Sequence, residues 1–210
     1  MKQNPHDQIL EIRTMMERSS RFISLSGISG ILAGTIALSG AALAFFYLNY
    51  DRRYFEAQEY FSASSPITSQ KIWFLTTTAL VVLILAIGQA IVLTTRKARK
   101  QGIKIWSFAT RQMLISLMVP LLAGGIFCLA LLLHSIVYLV APAMLIFYGL
   151  ALIQASRHTL GEIRWLGYSE LSLGLLATLI PGYGLLAWAF GFGILHIVYG
   201  WIMYQRYDKQ

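Results

Sequence analysis

The sequence predicts an all-α integral membrane protein: six transmembrane helices in three hairpins, preceded by a short amphipathic cytoplasmic helix. Three observations carry that expectation. Of the 210 residues, 57% are hydrophobic and only 12% are charged, about half the roughly 25% charge of ordinary soluble domains. The apolar residues gather into runs long enough to cross a hydrocarbon core of about 30 Å at 1.5 Å per residue. The basic residues behind the net charge of +8 cluster between alternate runs. A soluble globule needs more ionised surface, and a disordered chain far fewer aliphatic residues. The single cysteine, Cys128, excludes a disulfide framework and any cysteine-based zinc or iron–sulfur site.

The chain opens with a polar segment, residues 1–23, that is expected to lie in the cytoplasm. Asn4 and Pro5 followed by Asp7 form a helix-start pattern: a cap, a first-turn proline and an acid near the positive helix end. Ile9, Ile12, Met16, Phe22 and Ile23 then fall near one face, with Arg13, Glu17 and Arg21 elsewhere, so a helix lying on the inner membrane surface is expected. Docking of a partner on the same helix is the alternative.

The transmembrane domain is placed at residues 24–205, with spans at about 24–48, 73–94, 113–133, 136–155, 161–180 and 183–204. Ala42-Leu43-Ala44 imitates a signal-peptide cleavage site, but the apolar run before it exceeds the 7–15 residues of a signal core. The first span is therefore read as a retained helix. Asp51 to Lys71 is the one sizeable external segment; Tyr47, Tyr50, Tyr54 and Phe61 suit an interfacial aromatic belt. Leu133-His134-Ser135 is the only polar break between spans three and four, which implies a tight hairpin. Pro181-Gly182-Tyr183-Gly184 divides a stretch too long for one helix, because proline and glycine together punctuate helices most strongly. Residues 206–210 form a short tail.

Sidedness follows from the basic residues. Lys2, Arg13, Arg18, Arg21, Arg96, Lys97, Arg99, Lys100, Lys104, Arg111, Arg157, Arg164, Arg206 and Lys209 fall on one side, and Arg52, Arg53 and Lys71 on the other. The positive-inside rule then predicts a plasma (inner) membrane protein with both termini cytoplasmic. Anionic lipid headgroups at the cytoplasmic face are the expected contact for these clusters.

Two internal echoes occur in the second half. Tyr148-Gly149 with Gln154 recurs as Tyr199-Gly200 with Gln205, and Gly102–Trp106 is echoed by Gly161–Trp165. Duplicated parallel hairpins would produce this pattern, and so would convergence on interfacial aromatic and basic residues.

Glu170 is the candidate for chemistry, because it falls about nine residues into span five, near mid-membrane. An ionised carboxylate there costs roughly 2.5–3.5 kcal/mol, so it is expected to be paired, protonated or facing a cavity. Glu170 and His196 lie about 11 and 12 residues from the shared turn, which places them at similar depth on adjacent antiparallel helices. A carboxylate–imidazole pair inside a bundle relays protons or binds a cation. A purely structural pair is the competing reading. Gln89, Tyr199 and Arg164 are secondary polar candidates. Gly27, Gly30 and Gly34 form a small-residue face for close helix packing. Packing inside the chain is its default use and a homo-oligomer the alternative.

Gly27-Ile28-Ser29-Gly30 resembles the G-x-S-G of rhomboid-type intramembrane serine proteases, a family that also has six spans and a histidine in the last. The resemblance would make Ser29 a nucleophile and His196 its base. It covers four residues, and Ser29 stands in the first span where that family uses the fourth, so an enzyme is not the expectation. Gly182-Tyr183-Gly184 similarly echoes a potassium filter but is already used as a turn. No P-loop, HExxH, EF-hand or dinucleotide fingerprint occurs, so no cofactor, metal or nucleic acid is expected. The leading expectation is a small transporter or channel-like unit. A non-catalytic accessory or sensor protein that binds another membrane component is the runner-up.

Overall fold

A computed structural model describes residues 26–49, 66–102 and 105–209. The predicted amphipathic helix of residues 1–23, and Tyr50, Tyr54 and Phe61 of the external segment, lie outside the described residues. Helix makes up 90% of what is described, and no strand occurs among those residues. The helices are α1 (Gly27–Asn49), α2 (Pro66–Lys100), α3 (Phe108–Leu133), α4 (Val140–Ala155), α5 (Glu162–Leu179) and a composite α6 (Gly184–Asp208).

Helix ends differ from the apolar runs for local reasons. α2 has 35 residues, well beyond the expected 73–94, because Arg96, Lys97, Ala98, Arg99 and Lys100 are polar or small yet strong helix formers. Their positive charges also suit the negative end of the helix. α3 starts at Phe108, earlier than expected, where Ser107 Oγ accepts the Thr110 N–H at 3.2 Å and caps the first turn. The break after α3 falls at His134-Ser135, with Ser135 in the left-handed region at φ 61°, and a short 3-10 turn, Val137–Leu139, leads into α4. α6 contains two π-helical stretches, Ala189–Leu195 and Tyr204–Asp208. The second carries the helix into the residues expected to form a tail.

Packing inverts the rule for soluble proteins. Large apolar side chains point outward: Trp73 is 73% exposed, Leu133 76% and Leu179 76%, with Leu80, Ile84 and Ile91 on α2 also exposed. Glycine and alanine line much of the interior, beside a smaller set of large side chains such as Leu145, Leu166 and Trp188. Water would not tolerate so continuous an apolar surface, whereas hydrocarbon solvates it. Five helical stretches are long and apolar enough to cross a membrane: Gly27–Leu48, Ser69–Lys100, Phe108–Leu133, Val137–His158 and Gly184–Asp208. α5 is not among them, because Glu162, Arg164 and Glu170 lower the hydropathy of its 18 residues. The chain is an all-α membrane protein whose apolar helices contact lipid.

Two glycine seams hold the centre. On α1, Cβ atoms added to Gly27 and Gly34 would lie 2.6 Å from the Gly200 and Gly193 carbonyl oxygens of α6, and one on Gly200 would lie 2.6 Å from the Ile31 amide. Between α4 and α5, added Cβ atoms on Gly149 and Gly167 would reach within 2.8 Å of each other's backbone carbonyls. In lipid, no hydrophobic force drives helices together, so van der Waals contact at such seams supplies much of the attraction. Both seams lie between helices that are not joined by the expected tight turns. α2 rests on α1, where Tyr47 stacks on Phe74 at 3.9 Å, and α3 rests on α4, where Phe127 meets Phe147 at 5.6 Å.

One end of the bundle is fastened by the last turn of α6. Asp208 accepts the Gly27 N–H at 2.8 Å and the Ser26 hydroxyl at 3.3 Å, and its other oxygen pairs with Lys97. Beside it, Arg206 pairs with Glu162 at 2.8 Å, and the Tyr207 hydroxyl donates to the same carboxylate at 2.9 Å. A carboxylate on the Gly27 amide, the first of α1, acts as a cap supplied by another helix; side-chain caps contribute about 0.5–2 kcal/mol.

Candidate functional site

The face that α5 turns inward consists of Ile163, Leu166, Gly167, Glu170, Gly174 and Ala177, the spacing of one helical stripe. Gly167 and Gly174 flank Glu170 by about one turn on each side, and through them α4 approaches at backbone distance. That approach encloses the acid: Glu170 is 0% exposed.

α6 closes the site from the other side. Its Ala189–Leu195 stretch widens to π geometry, a local under-winding often found at functional positions. Gly191 lies in this stretch, and a methyl group there would collide with Glu170 Oε2 and Leu145. The stretch leads directly into His196, itself buried. The His196 ring is held between Tyr148 of α4, stacked at 5.4 Å, and Phe192 of α6, stacked at 5.9 Å.

Hydrogen bonding determines the ring's tautomer. His196 Nδ1 lies 3.1 Å from the Gly191 carbonyl oxygen, which only accepts, so Nδ1 carries the proton. In the neutral ring Nε2 then accepts from the Tyr148 hydroxyl at 2.7 Å. Glu170 Oε1 approaches Nδ1 to 3.4 Å. This is ion-pair distance but not a hydrogen bond, because the Nδ1–H is aimed at the carbonyl; both Glu170 oxygens are buried with no hydrogen-bond partner. The arrangement is thus a hydroxyl, an imidazole and a carboxyl in sequence, each within one short movement of the next.

The remaining candidates lie elsewhere. Gln89 of α2 donates to the Ser29 carbonyl of α1 at 2.9 Å, and its own carbonyl oxygen is buried without a partner. The Tyr199 hydroxyl meets the Ser169 hydroxyl at 3.4 Å, next to Glu170 in sequence but not on it. Arg164 is exposed on the first turn of α5. Gly27, Gly30 and Gly34 lie against α6, so that face is covered within the chain. Ser29 donates to the Ser26 carbonyl at 2.6 Å, while both nitrogens of His196 are engaged by Tyr148 and Gly191; the serine–histidine pair of a protease does not form. Among the described residues no cluster of three metal-ligating side chains occurs.

Tyr148, Gly191 and Asp208 were not singled out as functional by their sequence context. Tyr148 belongs to the repeated Tyr-Gly pair, a signal of interfacial aromatics that conceals its position beside a buried histidine. No family model matches the chain, and no curated protein or solved structure matches it either.

Proposed function

We propose that this chain is a six-span transport or channel-like unit whose working group is Glu170 with His196. The observation that carries the reading is a carboxyl group that is completely buried, without a hydrogen-bond donor, and 3.4 Å from an imidazole between packed helices. Ionisable groups at such depth are costly and characteristically mark ion or proton pathways.

Parity supports six traverses. Asp208 bonds Gly27, so the start of α1 and the end of α6 share one end of the bundle. An even number of crossings suits that geometry, and we take α5 as the sixth beside the five long apolar stretches. The same end gathers Lys97, Arg157, Arg206 and Lys209, which favours a cytoplasmic location in the inner membrane and contact with anionic headgroups. Reporter fusions after Ser64 and Gly182 are expected to read one side, and fusions after Gln101 and Gln210 the other. If Gly182 and Gln101 report the same side, α5 does not cross.

Transport is tested in proteoliposomes under an imposed pH gradient. Wild type is expected to pass ions or a small solute in a pH-dependent way, and Glu170→Gln to fall to the level of protein-free vesicles. Equal flux in the two, or none in wild type across ions and small solutes, sinks the proposal.

A further inference from the structure

We infer that the species held at Glu170 is a proton rather than a metal cation, and that it reaches the carboxyl through Tyr148 and His196. This rests on the transport reading of the same site and names what the site carries.

A carboxylate is an acceptor-only group with about four lone-pair sites, and neither oxygen of Glu170 has a donor. Its charge therefore has to be met by a second proton on His196, 3.4 Å away, met by a bound cation, or removed by a proton of its own. The surroundings do not suit a metal. Hard cations such as calcium take about 6–8 oxygen ligands, and magnesium requires near-octahedral oxygen geometry. Near Glu170 stand the Leu145 side chain, the Gly191 backbone and the His196 ring, with the Gly191 carbonyl already bonded to His196 and the Tyr148 hydroxyl to Nε2. On the α6 side there is no room either, since a methyl group on Gly191 would strike Oε2. A proton needs neither a ligand shell nor a cavity.

The geometry also supplies the inner steps of a route, from Tyr148 to the carboxyl. Tyr148 gives its hydroxyl proton to His196 Nε2 and takes a proton arriving from the aqueous side. The Nδ1–H bond breaks, and a new O–H bond forms on Glu170 Oε1 once the 3.4 Å contact closes. One proton has entered, the carboxylate has become a carboxylic acid, and the imidazole is left neutral with its hydrogen on Nε2. Reversal, or reorientation of the ring, resets it. The titratable groups facing Glu170 are Tyr148 from α4 and His196 from α6. Tyr199 of α6 meets the adjacent Ser169, and the connection packed on the start of α5 carries Arg157 and His158.

Infrared spectroscopy of the full chain in lipid reads the proton directly, because a carboxylic acid has a C=O stretching band that a carboxylate lacks. Wild type is expected to show such a band that is lost in Glu170→Gln. It should weaken as pH is raised and be unmoved by sodium, potassium or calcium at fixed pH. Should the Gln variant not fold, Glu170→Met serves, since its side chain needs no donor. In Tyr148→Phe the band is expected to persist while its loss after a jump to alkaline pH becomes several-fold slower; an unchanged rate overturns the route. Loss of the wild-type band on adding any of the three metal ions, or its absence at every pH, overturns the proton site. A band of this kind in a wild type without flux retains the proton site and overturns transport.

Discussion

Gly200→Leu is expected to destabilise the folded chain more than any other single change considered, by about 3 kcal/mol. A Cβ at Gly200 lies 2.6 Å from the Ile31 amide and 2.8 Å from the Gly27 carbonyl. Both are backbone atoms of α1, so no side chain can rotate away; α1 and α6 must separate. Separation also withdraws Asp208 from the Gly27 amide at the start of α1. Gly125→Leu is the matched control, because a Cβ there meets nothing within 4 Å. Thermal unfolding of both variants in the same detergent, followed by size-exclusion chromatography, checks the expectation. Equal melting of the two would mean that the α1–α6 seam is not where it is drawn.

Glu170→Met carries the opposite sign: it is expected to stabilise the chain by about 1–3 kcal/mol while removing any flux. A buried polar group without a partner costs about 1–3 kcal/mol, and replacing it by an apolar side chain of similar shape relieves that cost. Glu170→Gln should not give the same gain, because its amide inherits the same donor-poor surroundings. The result separates two uses of the residue. An acid retained for structure would be missed when removed, so a lower melting temperature for Glu170→Met would place its value in packing. A higher one would show that the chain tolerates an unfavourable group whose benefit lies elsewhere.

Much of the helical arrangement was legible because its signals are local. Pro181 and Gly182 mark a turn wherever they occur, and the turn lies between Leu179 and Gly184. His134 and Ser135 interrupt an apolar stretch, and the α3 helix ends beside them. The similar depth of Glu170 and His196 followed from counting outward from the shared turn, and the two side chains come within 3.4 Å. The ends of α2 were not legible, since hydropathy follows lipid and not helix: the basic residues Arg96 to Lys100 continue the helix beyond the apolar run. Tyr148 was hidden for a different reason. It lies on a neighbouring helix 48 residues away from His196 in sequence, and no spacing rule links the two.

The sequence by itself determined that this is a helical membrane protein, where its apolar runs lie, and that an acid and a histidine occupy them at comparable depth. These follow from per-residue costs of transfer into hydrocarbon, which sum along the chain without reference to neighbours. Only the tertiary structure decided which helix faces which. Lipid is as apolar as leucine, so the choice rests on shape, here on Gly149 against Gly167 and on Gly27 and Gly34 against α6. Those close approaches bring α4 and α6 around α5, and with them Tyr148 and Gly191 around a carboxyl that no span prediction could have shown to be without a donor.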